Sequence, residues 1–597
     1  MCGIFGFLLN KNLTQDNINT GVSSLKKLAH RGPDHLNYWF NKEEGIFLGH
    51  TRLSIIDLSD ASNQPFVENR RATVFNGEIY NFLELRKRLE KVGYSFKTKG
   101  DTEVLHKLLD YQFEKYLEEI DGMFAFASYR SHTLTLANDI FGEKPLYYIE
   151  NNDGFYFSSE IRPLISFLNI GFSDDFSLKK NFLSLGYLPN YETFYKGIKY
   201  LAPGSLVTKI YGRKAQYSTY WSKPNTFFAK GKIEKFSKNE IENVEEILTE
   251  SIKNRLRSDV PVGLFLSSGI DSSLIAAIAK RNLNSDILTM TVAYNNELIH
   301  NESATAKKIA SSLDLDHIVI DSEINKEQYT LSNLFNLYGE PNDNLTIFSG
   351  EQIAYEGRKF FKVALCGSGG DEIFKGYGKH KFLYTYDKFF VNKYLKNGLN
   401  GLNKFLGKKI TRISNASNLF NTLKWQSILA LKNMPYCFDK NLSDDFISDL
   451  SFLSWKENQS CLSNFIDFDL NLNLPLSIIP ALERSSMNHA LELRAPFLNK
   501  RLLEFVSDLD NRKFLKFDSK SILISILEKY IPSNLISKRK LGFSFPNKYF
   551  LDINRSFIER QLDIDLEYLS NKSRYDSRYE KVIIRKAIYN YFREKTT

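Results

Sequence analysis

The sequence has few cysteines, and it has neither a large excess of one charge nor a long apolar run. Only four of its 597 residues are cysteines. They stand at Cys2, Cys366, Cys437 and Cys461, with neither a CxxC pair nor the histidine spacing of a zinc site. A disulfide framework and a structural metal site are therefore not expected, and the predicted compartment is the reducing cytoplasm.

Membrane proteins, secreted proteins and nucleic-acid-binding proteins are not favoured either. No run of about 18 uncharged apolar residues occurs, and residues 1–9 lack the basic start and the small-residue cleavage site of a signal peptide. The 79 basic and 70 acidic residues leave a net charge of only +9. Short basic groups such as residues 538–540 are typical of solvated surface, so neither nucleic acid nor membrane is predicted as a partner.

The length and the 43% hydrophobic content predict a globular protein with more than one domain. Residues 2–218 carry short strand-like runs and one strongly helical stretch, residues 81–92, which together are typical of a layered α+β domain. The predicted strands are residues 45–50, 71–75, 122–129, 134–138 and 154–158. Residues 219–238 are polar and rich in lysine, so they are predicted to be a linker.

Residues 239–597 are predicted to form a second domain, of the α/β class. Its predicted strands are residues 262–266, 287–293, 317–320 and 361–366. Predicted helices, among them residues 272–281 and 303–313, lie between these strands, and this alternation predicts a parallel sheet with helices on both faces. Residues 380–480 are expected to be helical and show no clear repeat.

Cys2 is the first candidate for catalysis. A side chain this small after the initiator normally allows removal of Met1, which would leave Cys2 with both a thiol and a free α-amine. Such an amine titrates near neutral pH, so its neutral form can take the thiol proton and activate the sulfur as a nucleophile. Taken alone, a cysteine at this position is more often a buried small apolar group.

Further segments contain partners for such a nucleophile. Arg52 ends a predicted strand and carries a planar fork suited to a carboxylate, while Asp101 suits an ammonium group, so together they fit an amino-acid zwitterion. The segment 76–81 is predicted to lie where a strand turns into a helix, so the Asn76 side-chain amide and the Gly77 backbone N–H can point at one developing oxyanion. Taken singly, Arg52 is more often part of a surface ion pair, Asp101 a helix cap and Gly77 a turn residue.

Several motifs, in this order, resemble the class II glutamine amidotransferases, the N-terminal nucleophile glutaminases. They are Cys2-Gly3-Ile4-Phe5-Gly6, His30-Arg31-Gly32-Pro33-Asp34, Arg52-Leu53-Ser54-Ile55, Asn76-Gly77-Glu78-Ile79-Tyr80-Asn81 and Asp101-Thr102-Glu103. The resemblance implies an αββα sandwich in which Cys2 attacks the glutamine amide and Asn76 and Gly77 form the oxyanion hole, with ammonia and glutamate as products. The implied glutamine-binding residues are Arg52, Leu53, Ser54, Ile55, Ile56, Asn76, Gly77, Glu78 and Asp101.

A second candidate site follows the predicted strand 262–266. Ser267, Ser268 and Gly269 are small, so backbone N–H groups can face outward at the start of a helix, an arrangement that suits a phosphate or pyrophosphate. Asp271 is placed to bind the accompanying Mg²⁺. An ordinary strand–loop–helix turn with a serine cap explains this local pattern equally well.

Another loop follows the predicted strand 361–366 and reads Gly367-Ser368-Gly369-Gly370-Asp371-Glu372. Two such loops at neighbouring strand ends predict a nucleotide-binding crevice. The dinucleotide fingerprint is absent because its sixth position is Glu372, and no GxxxxGK[ST] P-loop occurs. Hydride transfer and kinase chemistry are therefore not favoured.

The two loops resemble the synthetase half of glutamine-hydrolysing asparagine synthetases and of their β-lactam synthetase relatives, which split ATP into AMP and pyrophosphate. The resemblance implies a PP-loop ATP pyrophosphatase domain with helical additions, and it suggests a homodimer. It assigns Mg²⁺ to Asp271 and Asp371 and stabilisation of phosphate charge to Lys520. The implied ATP and pyrophosphate contacts are Leu266, Ser267, Ser268, Gly269, Ile270, Asp271, Ser272, Val292, Cys366 and Gly367. Residues 492–498 and 540–544 also resemble family segments.

Together, the halves predict the amidation of a carboxylate. ATP would activate the carboxylate as an acyl-adenylate with AMP as its leaving group, and ammonia released from glutamine would pass through an apolar passage to attack it. The simplest acceptor is aspartate, which gives asparagine. The non-enzyme alternative is a degenerate binding or regulatory protein. The retention of six residues speaks against it: Cys2, Arg52, Asp101, Asp271, Asp371 and Lys520.

Two positions depart from the family pattern. Ser268 replaces a usual glycine, which would cost about 1 kcal/mol if the backbone there has a positive φ. Ser368 replaces a usual glutamate or aspartate near the activated intermediate, so a charge that helps to recognise an amino group is missing. A carboxylated sugar of surface polysaccharides is therefore the alternative acceptor.

Overall fold

A computed structural model describes residues 2–111, 116–229, 232–294, 302–322, 326–390, 461–517, 520–537, 545–563, 566 and 577–596. The basic group 538–540, the family-like segment 540–544 and most of the predicted helical region 380–480 lie outside the described residues, as does Met1.

The N-terminal half contains two six-stranded sheets, whose paired strands are antiparallel. Its strands are β1 (Gly3–Leu9), β2 (His35–Asn41), β3 (Ile46–Arg52), β4 (Phe66–Glu68), β5 (Arg71–Ile79), β6 (Gly122–Arg130), β7 (Thr133–Asn138), β8 (Tyr147–Glu150), β9 (Gly154–Ser158), β10 (Lys199–Tyr200), β11 (Ser205–Ile210) and β12 (Gln216–Thr219). The sheet orders are β10-β8-β9-β1-β3-β2 and β12-β11-β7-β6-β5-β4. Its helices are Gln15–Lys26, Asp60–Ser62 (a 3₁₀ turn), Phe82–Lys91, Asp101–Tyr111, Ile161–Leu168 and Phe176–Leu185.

Alternation along the strands produces four layers, because successive side chains of a strand point to opposite faces. Ile4 and Leu8 of β1 pack inward against Val74 of β5, which forms the core between the sheets. Phe5 and Phe7 point outward and pack with the helix Gln15–Lys26. The outer face of the other sheet packs with the helices Phe82–Lys91 and Asp101–Tyr111. The αββα sandwich predicted for this half is therefore confirmed.

The C-terminal half is built on one parallel five-stranded sheet of order β15-β14-β13-β16-β17. Its strands are β13 (Val262–Phe265), β14 (Leu288–Tyr294), β15 (His317–Ser322), β16 (Val363–Leu365) and β17 (Glu492–Arg494). Its helices are Lys238–Arg255, Ile270–Arg281, Ser303–Leu313, Lys326–Tyr329 (3₁₀), Leu331–Tyr338, Thr346–Gly357, Gly370–Ile373, Gly378–Phe390, Cys461–Phe468, Asp469–Ile478 (a π-helix), Ile479–Met487, Lys500–Asp508, Lys513–Lys516, Ser521–Leu527, Ser533–Leu535 (3₁₀), Asn547–Ile553, Arg555–Leu562 and Ser577–Thr596. The predicted parallel α/β architecture is confirmed.

The strand order reverses between β13 and β16, which are direct neighbours in the sheet. The chain adds β14 and β15 on one side of β13 and then returns to add β16 and β17 on the other side. A crevice opens outside the carboxyl ends of parallel strands at such a reversal. The loops that follow β13 and β16 therefore meet, as the sequence predicts.

One helical stretch, Leu462–Met487, is long and apolar enough to cross a membrane by length and composition, with a mean hydropathy of 1.2. The sequence analysis did not flag this stretch. Half of its most apolar window is buried inside the protein, and Asp469 within it is ion-paired with Lys379 and hydrogen-bonded to His380. Core helices of soluble proteins have these properties, so we interpret it as a core helix.

The two halves meet through an apolar interface that includes parts of both candidate sites. Leu53 and Ile55 pack with Val363 at the start of β16 and with Ala490. A second contact joins Tyr80 and Met123 of the first half to Met487 of the second. The interface therefore brings the segment that follows β3 directly against the parallel sheet.

Candidate functional site

Cys2 lies immediately before β1, which pairs with β3 from Gly3 onward. Its backbone nitrogen donates to Asn76 Oδ1 at 3.0 Å, and its carbonyl oxygen accepts from Arg31 Nε at 3.1 Å. Cys2 as a whole residue is 7% exposed. Burial raises the pKa of the Cys2 thiol, and a hydrogen bond from the Leu53 amide opposes this rise. The nucleophile candidate is thus fixed on both sides of its backbone.

Asn76 and Gly77 lie in the last part of β5, and the segment 76–81 leads from this strand to the next helix, as predicted. β5 continues to pair with β6 through Ile79, and the helix begins only at Phe82. Gly77 has φ +149°, and a Cβ there would lie 2.0 Å from the Met123 carbonyl oxygen, so only glycine fits. The Asn76 Nδ2 atom is buried and has no hydrogen-bond partner. Asn76 thus accepts from the Cys2 nitrogen through Oδ1 and keeps Nδ2 as an unused hydrogen-bond donor.

Arg52 ends β3, as predicted, and its guanidinium is held by the loop that follows. It donates to Asn63 Oδ1 at 2.7 Å, to the Ser59 carbonyl at 3.0 Å and to the Asp57 carbonyl. The Ser54 amide donates to Asp34 Oδ2 at 2.8 Å. The segment that carries Arg52, Leu53, Ser54, Ile55 and Ile56 is therefore held in place from several sides.

Asp101 and Glu78 place buried carboxyl groups next to the end of β5. The Ile79 amide donates to Asp101 Oδ2 at 2.9 Å. Burial raises the pKa of Asp101 to about 6. Burial also raises the pKa of Glu78, with a further rise from the Asp101 carboxylate, although Arg494 lies 3.4 Å away. The structure thus brings the predicted carboxyl groups together near Asn76 and Gly77.

The loop after β13 is tied together by its own hydroxyl groups. The Ser267 amide donates to Ser272 Oγ at 3.1 Å, and the Gly269 amide donates to Ser267 Oγ at 3.1 Å. The helix Ile270–Arg281 starts directly behind this loop. Ser268 is not among the residues with positive φ, so the strain considered for a serine at this position does not arise.

Ser268 instead contacts a carboxylate that the sequence analysis missed. Its amide and its hydroxyl both donate to Glu302 Oε2 at 2.9 Å. Glu302 immediately precedes the helix Ser303–Leu313. The family resemblance assigns pyrophosphate to this loop, but here the Glu302 carboxylate already accepts from the Ser268 amide.

Asp271, Asp371 and Lys520 converge between the loops after β13 and β16. Lys520 Nζ lies 2.5 Å from Asp271 Oδ2 and 2.6 Å from Asp371 Oδ1. Burial alone would lower the pKa of the Lys520 ammonium, but the two carboxylates outweigh it and raise that pKa. A Cβ on Gly376 would lie 2.0 Å from Asp371 Oδ1, so glycine is needed for this approach.

The residues assigned to the nucleotide lie around the carboxyl ends of three neighbouring strands. Leu266 and Cys366 directly follow β13 and β16, and Val292 belongs to β14. Gly367 lies so close to Asp271 that a Cβ there would be 2.9 Å from the aspartate Cβ. The Ser368 hydroxyl accepts a hydrogen bond from the Cys366 thiol at 3.4 Å.

The two aspartates fit a partial Mg²⁺ site. Carboxylate oxygens are the ligands this ion prefers, and Mg²⁺ usually takes its remaining ligands from water and substrate phosphates. Within the residues that the structure describes, no cluster of three or more His, Cys, Asp or Glu side chains forms a metal site. Asp271 and Asp371 are therefore compatible with an ion that arrives with a nucleotide rather than with a permanent metal.

The sequence analysis also missed a set of buried charges between the halves. Arg31 is fully buried and lies within hydrogen-bonding distance of Glu160 and Glu483. Arg494 lies between Glu492 and Glu78. Apart from Glu492 and Arg494, which are two residues apart in a segment already noted, these pairs join positions far apart in sequence. Local patterns therefore carried no signal for the long-range pairs, although Arg31 also belongs to a motif that had been noted.

Comparisons with known proteins support both halves. The chain matches the family described as "Glutamine amidotransferase domain" over residues 1–221 and the family described as "Asparagine synthase" over residues 243–595. It is 30% identical over 576 residues to asparagine synthetase (glutamine-hydrolyzing) 1 of Bacillus subtilis (strain 168). This alignment covers 92% of this chain and 88% of that protein. The chain is 29% identical over 487 residues to a putative asparagine synthetase (glutamine-hydrolyzing) 2 of Methanocaldococcus jannaschii, which covers 76% and 90% respectively.

A solved structure of glutamine phosphoribosylpyrophosphate amidotransferase from B. subtilis also aligns with the chain. The alignment covers 53% of this chain and 65% of that chain, at 15% identity and a TM-score of 0.29.

The four-layer half and the parallel-sheet half define a two-domain, glutamine-dependent ligase. More particularly, the chain belongs to the asparagine synthase family, whose members use ATP.

Proposed function

We propose that Cys2 is the nucleophile that hydrolyses glutamine. Removal of Met1 would turn the Cys2 backbone nitrogen into a free amine, which takes the thiol proton directly or through water. The sulfur attacks the side-chain amide carbon, the protonated nitrogen leaves as ammonia, and water hydrolyses the resulting thioester to glutamate. Arg52 would bind the carboxylate of glutamine, and Asp101 its ammonium group.

The observation that carries this proposal is the double role open to Asn76. Its Oδ1 already accepts from the Cys2 nitrogen, while its buried Nδ2 has no partner. A buried donor without a partner is costly and calls for an explanation. The developing oxyanion of the glutamine amide would supply the missing acceptor, with the Gly77 amide as second donor.

We propose that the crevice between β13 and β16 activates the acceptor carboxylate. ATP would bind there, and the acceptor carboxylate oxygen would attack the α-phosphorus and release pyrophosphate. Lys520 would stabilise charge on the phosphates, and Asp271 and Asp371 would hold Mg²⁺, which would supply electrostatic stabilisation of the phosphates during transfer of the adenylyl group. Ammonia then attacks the acyl-adenylate, and AMP leaves.

The apolar contacts between the halves support transfer of ammonia from one site to the other. Leu53, which follows Arg52, packs on Val363 of β16. Neutral ammonia keeps its lone pair, and apolar surroundings disfavour its protonated form. We place the division between the two domains at residues 219–238 and the protein in the cytoplasm, where glutamine and ATP are available.

The acceptor we propose is aspartate, with asparagine as product. The first relatives described above carry the name asparagine synthetase. Ser368 favours the second candidate, a sugar carboxylate, because it provides no negative charge for an amino group. A homodimer remains an expectation from the family resemblance.

The test is an acceptor screen with purified protein, ATP, Mg²⁺ and glutamine, in which either aspartate or a uronic-acid nucleotide is supplied. We expect pyrophosphate release and asparagine formation with aspartate. Release only with the sugar would reject aspartate, and release with neither would favour the inactive regulatory alternative.

The matched variant is Cys2→Ala. We expect it to lose glutamine-dependent amidation by more than about 100-fold and to keep amidation from added ammonia, because only the first site is damaged. Unchanged glutamine-dependent activity would mean that Cys2 is not the nucleophile.

A further inference from the structure

A buried group of charges joins the two halves behind Cys2. We name it the interdomain charge cluster, and its members are Arg31, Tyr147 and Glu160 from the first half and Glu340, Glu483 and Arg484 from the second. Glu483 and Arg484 lie on the helix Ile479–Met487. Both are at most 5% exposed.

Arg31 connects this cluster to the candidate nucleophile. Its Nε donates to the Cys2 carbonyl oxygen at 3.1 Å, and its Nη1 donates to Glu160 Oε1 at 3.1 Å. Its Nη2 donates to Glu483 Oε1, and its Nη1 lies 3.4 Å from Glu483 Oε2. Glu483 therefore receives Arg31 through both carboxylate oxygens.

The shape of the guanidinium makes these contacts interdependent. Its donors lie in one rigid plane, so anchoring both Nη atoms fixes the direction of Nε. Glu160 cannot provide this anchor alone, because its carboxylate also accepts from His30 at 2.9 Å and lies 3.4 Å from Arg484. The carboxylate of Glu483 is thus needed to hold Nε toward the Cys2 carbonyl.

Because Arg31 is buried, its guanidinium charge needs the carboxylates of Glu483 and Glu160 as partners. Burial alone would lower the pKa of the Arg31 guanidinium, but the carboxylates of Glu483 and Glu160 outweigh it and raise that pKa. Breaking a buried pair by removing one partner leaves the other charge uncompensated. Without the charge of Glu483, we expect the Arg31 guanidinium to shift toward Glu160 and away from Cys2.

We propose that Glu483 is a positioning residue for glutamine hydrolysis, which acts across the domain interface through Arg31 on the backbone of Cys2. This inference rests on the proposed role of Cys2 as nucleophile. Glu483 belongs to the synthetase half, so the glutaminase site is complete only when that half is docked.

The experiment compares Glu483→Gln with Tyr191→Phe in the full chain. Both substitutions keep the size of the side chain, and Tyr191 makes another contact between the halves, from its hydroxyl to the Asn471 carbonyl at 2.9 Å. We expect Glu483→Gln to lower the kcat of glutamine hydrolysis about 10-fold with little change in KM, because Arg52 and Asp101 do not depend on Arg31. Amidation from added ammonia should stay unchanged, and Tyr191→Phe should alter none of these values.

A double-substitution cycle separates positioning from general loosening of the interface. Arg31→Lys keeps a charge near Glu483 but lacks the fork that reaches Cys2, so it should also lower kcat. If Glu483 acts through Arg31, adding Glu483→Gln to Arg31→Lys should lower kcat by less than about 2-fold more.

Several results would overturn the inference. These are an unchanged kcat in Glu483→Gln, additive losses in the double variant, or a parallel loss of ammonia-dependent amidation and glutamine hydrolysis. If Glu483→Gln does not fold, the Arg31→Lys variant alone must show the selective loss of kcat. Cys2→Ala tests the underlying proposal separately, because hydrolysis that persists in that variant rejects the nucleophile itself.

Discussion

The buried carboxyl of Asp101, which we propose as the ammonium partner of glutamine, should make glutamine binding depend on pH. Burial raises the pKa of Asp101 to about 6, so the carboxylate that would bind the ammonium of glutamine is charged only above this pH. We expect the KM for glutamine to rise about 5-fold or more between about pH 8 and about pH 5, because the neutral acid loses the ionic attraction. Initial rates of glutamate release at several glutamine concentrations measure this.

Asp101→Asn is the control for this pH dependence. The asparagine oxygen can still accept the Ile79 amide, so the local backbone contact is retained. The variant should show at about pH 8 the high KM that the unmodified protein shows at about pH 5. A KM that stays flat across this range in the unmodified protein would argue against Asp101 as the ammonium partner.

Single residues differ in how far sequence could predict their roles. Cys2, Arg52, Asn76 and Asp101 belong to local motifs. In the structure the Cys2 nitrogen donates to Asn76, and Gly3, which follows Cys2, pairs with Thr51, which precedes Arg52. Glu483 could not be predicted, because its partner Arg31 is 452 residues away in sequence. Long-range pairing of buried charges follows from the fold and not from local spacing.

At the scale of elements, the Glu302 carboxylate would compete with a phosphate group for a hydrogen-bond donor of the loop after β13. Glu302 accepts from both the amide and the hydroxyl of Ser268. Phosphate oxygens of ATP would need the same amide, and the carboxylate would repel them. Glu302→Gln should therefore lower the KM for ATP by about 5-fold, the equivalent of about 1 kcal/mol, in an assay of pyrophosphate release.

Ser268→Gly is the matched substitution in the other partner of the contact between Ser268 and Glu302. It removes one of the two hydrogen bonds to Glu302 and should also lower the KM for ATP, by a smaller factor. A higher KM in Glu302→Gln would instead mean that Glu302 helps to bind the nucleotide.

The elements that were predicted have regular hydrophobic periods, whereas seven strands of the first half (β1, β2, β4, β8, β10, β11 and β12) were not predicted. The predicted helices 303–313 and 81–92 correspond to Ser303–Leu313 and Phe82–Lys91. β17 was missed because its three residues are too few to show a period. The predicted strand 71–75 is shorter than β5, because pairing with β6 continues past Gly77 to Ile79.

At the scale of the whole molecule, the parallel sheet could be predicted from alternating strands and helices, and the crevice from two small-residue loops. The docking of the halves could not, since it depends on apolar side chains such as Leu53, Val363 and Met487 that look like ordinary core residues in the sequence. The proposed transfer of ammonia depends on this docking.

The most direct test follows the amide nitrogen of glutamine. The purified protein is supplied with ATP, Mg²⁺, the acceptor, glutamine labelled at the amide nitrogen and an excess of unlabelled ammonium. If Cys2 releases ammonia that reaches the adenylate between the docked halves, most of the amide product carries the label, and the Cys2→Ala variant gives only unlabelled product. A label diluted to the level of the external ammonium, or a labelled product from Cys2→Ala, would contradict the coupling of the two sites.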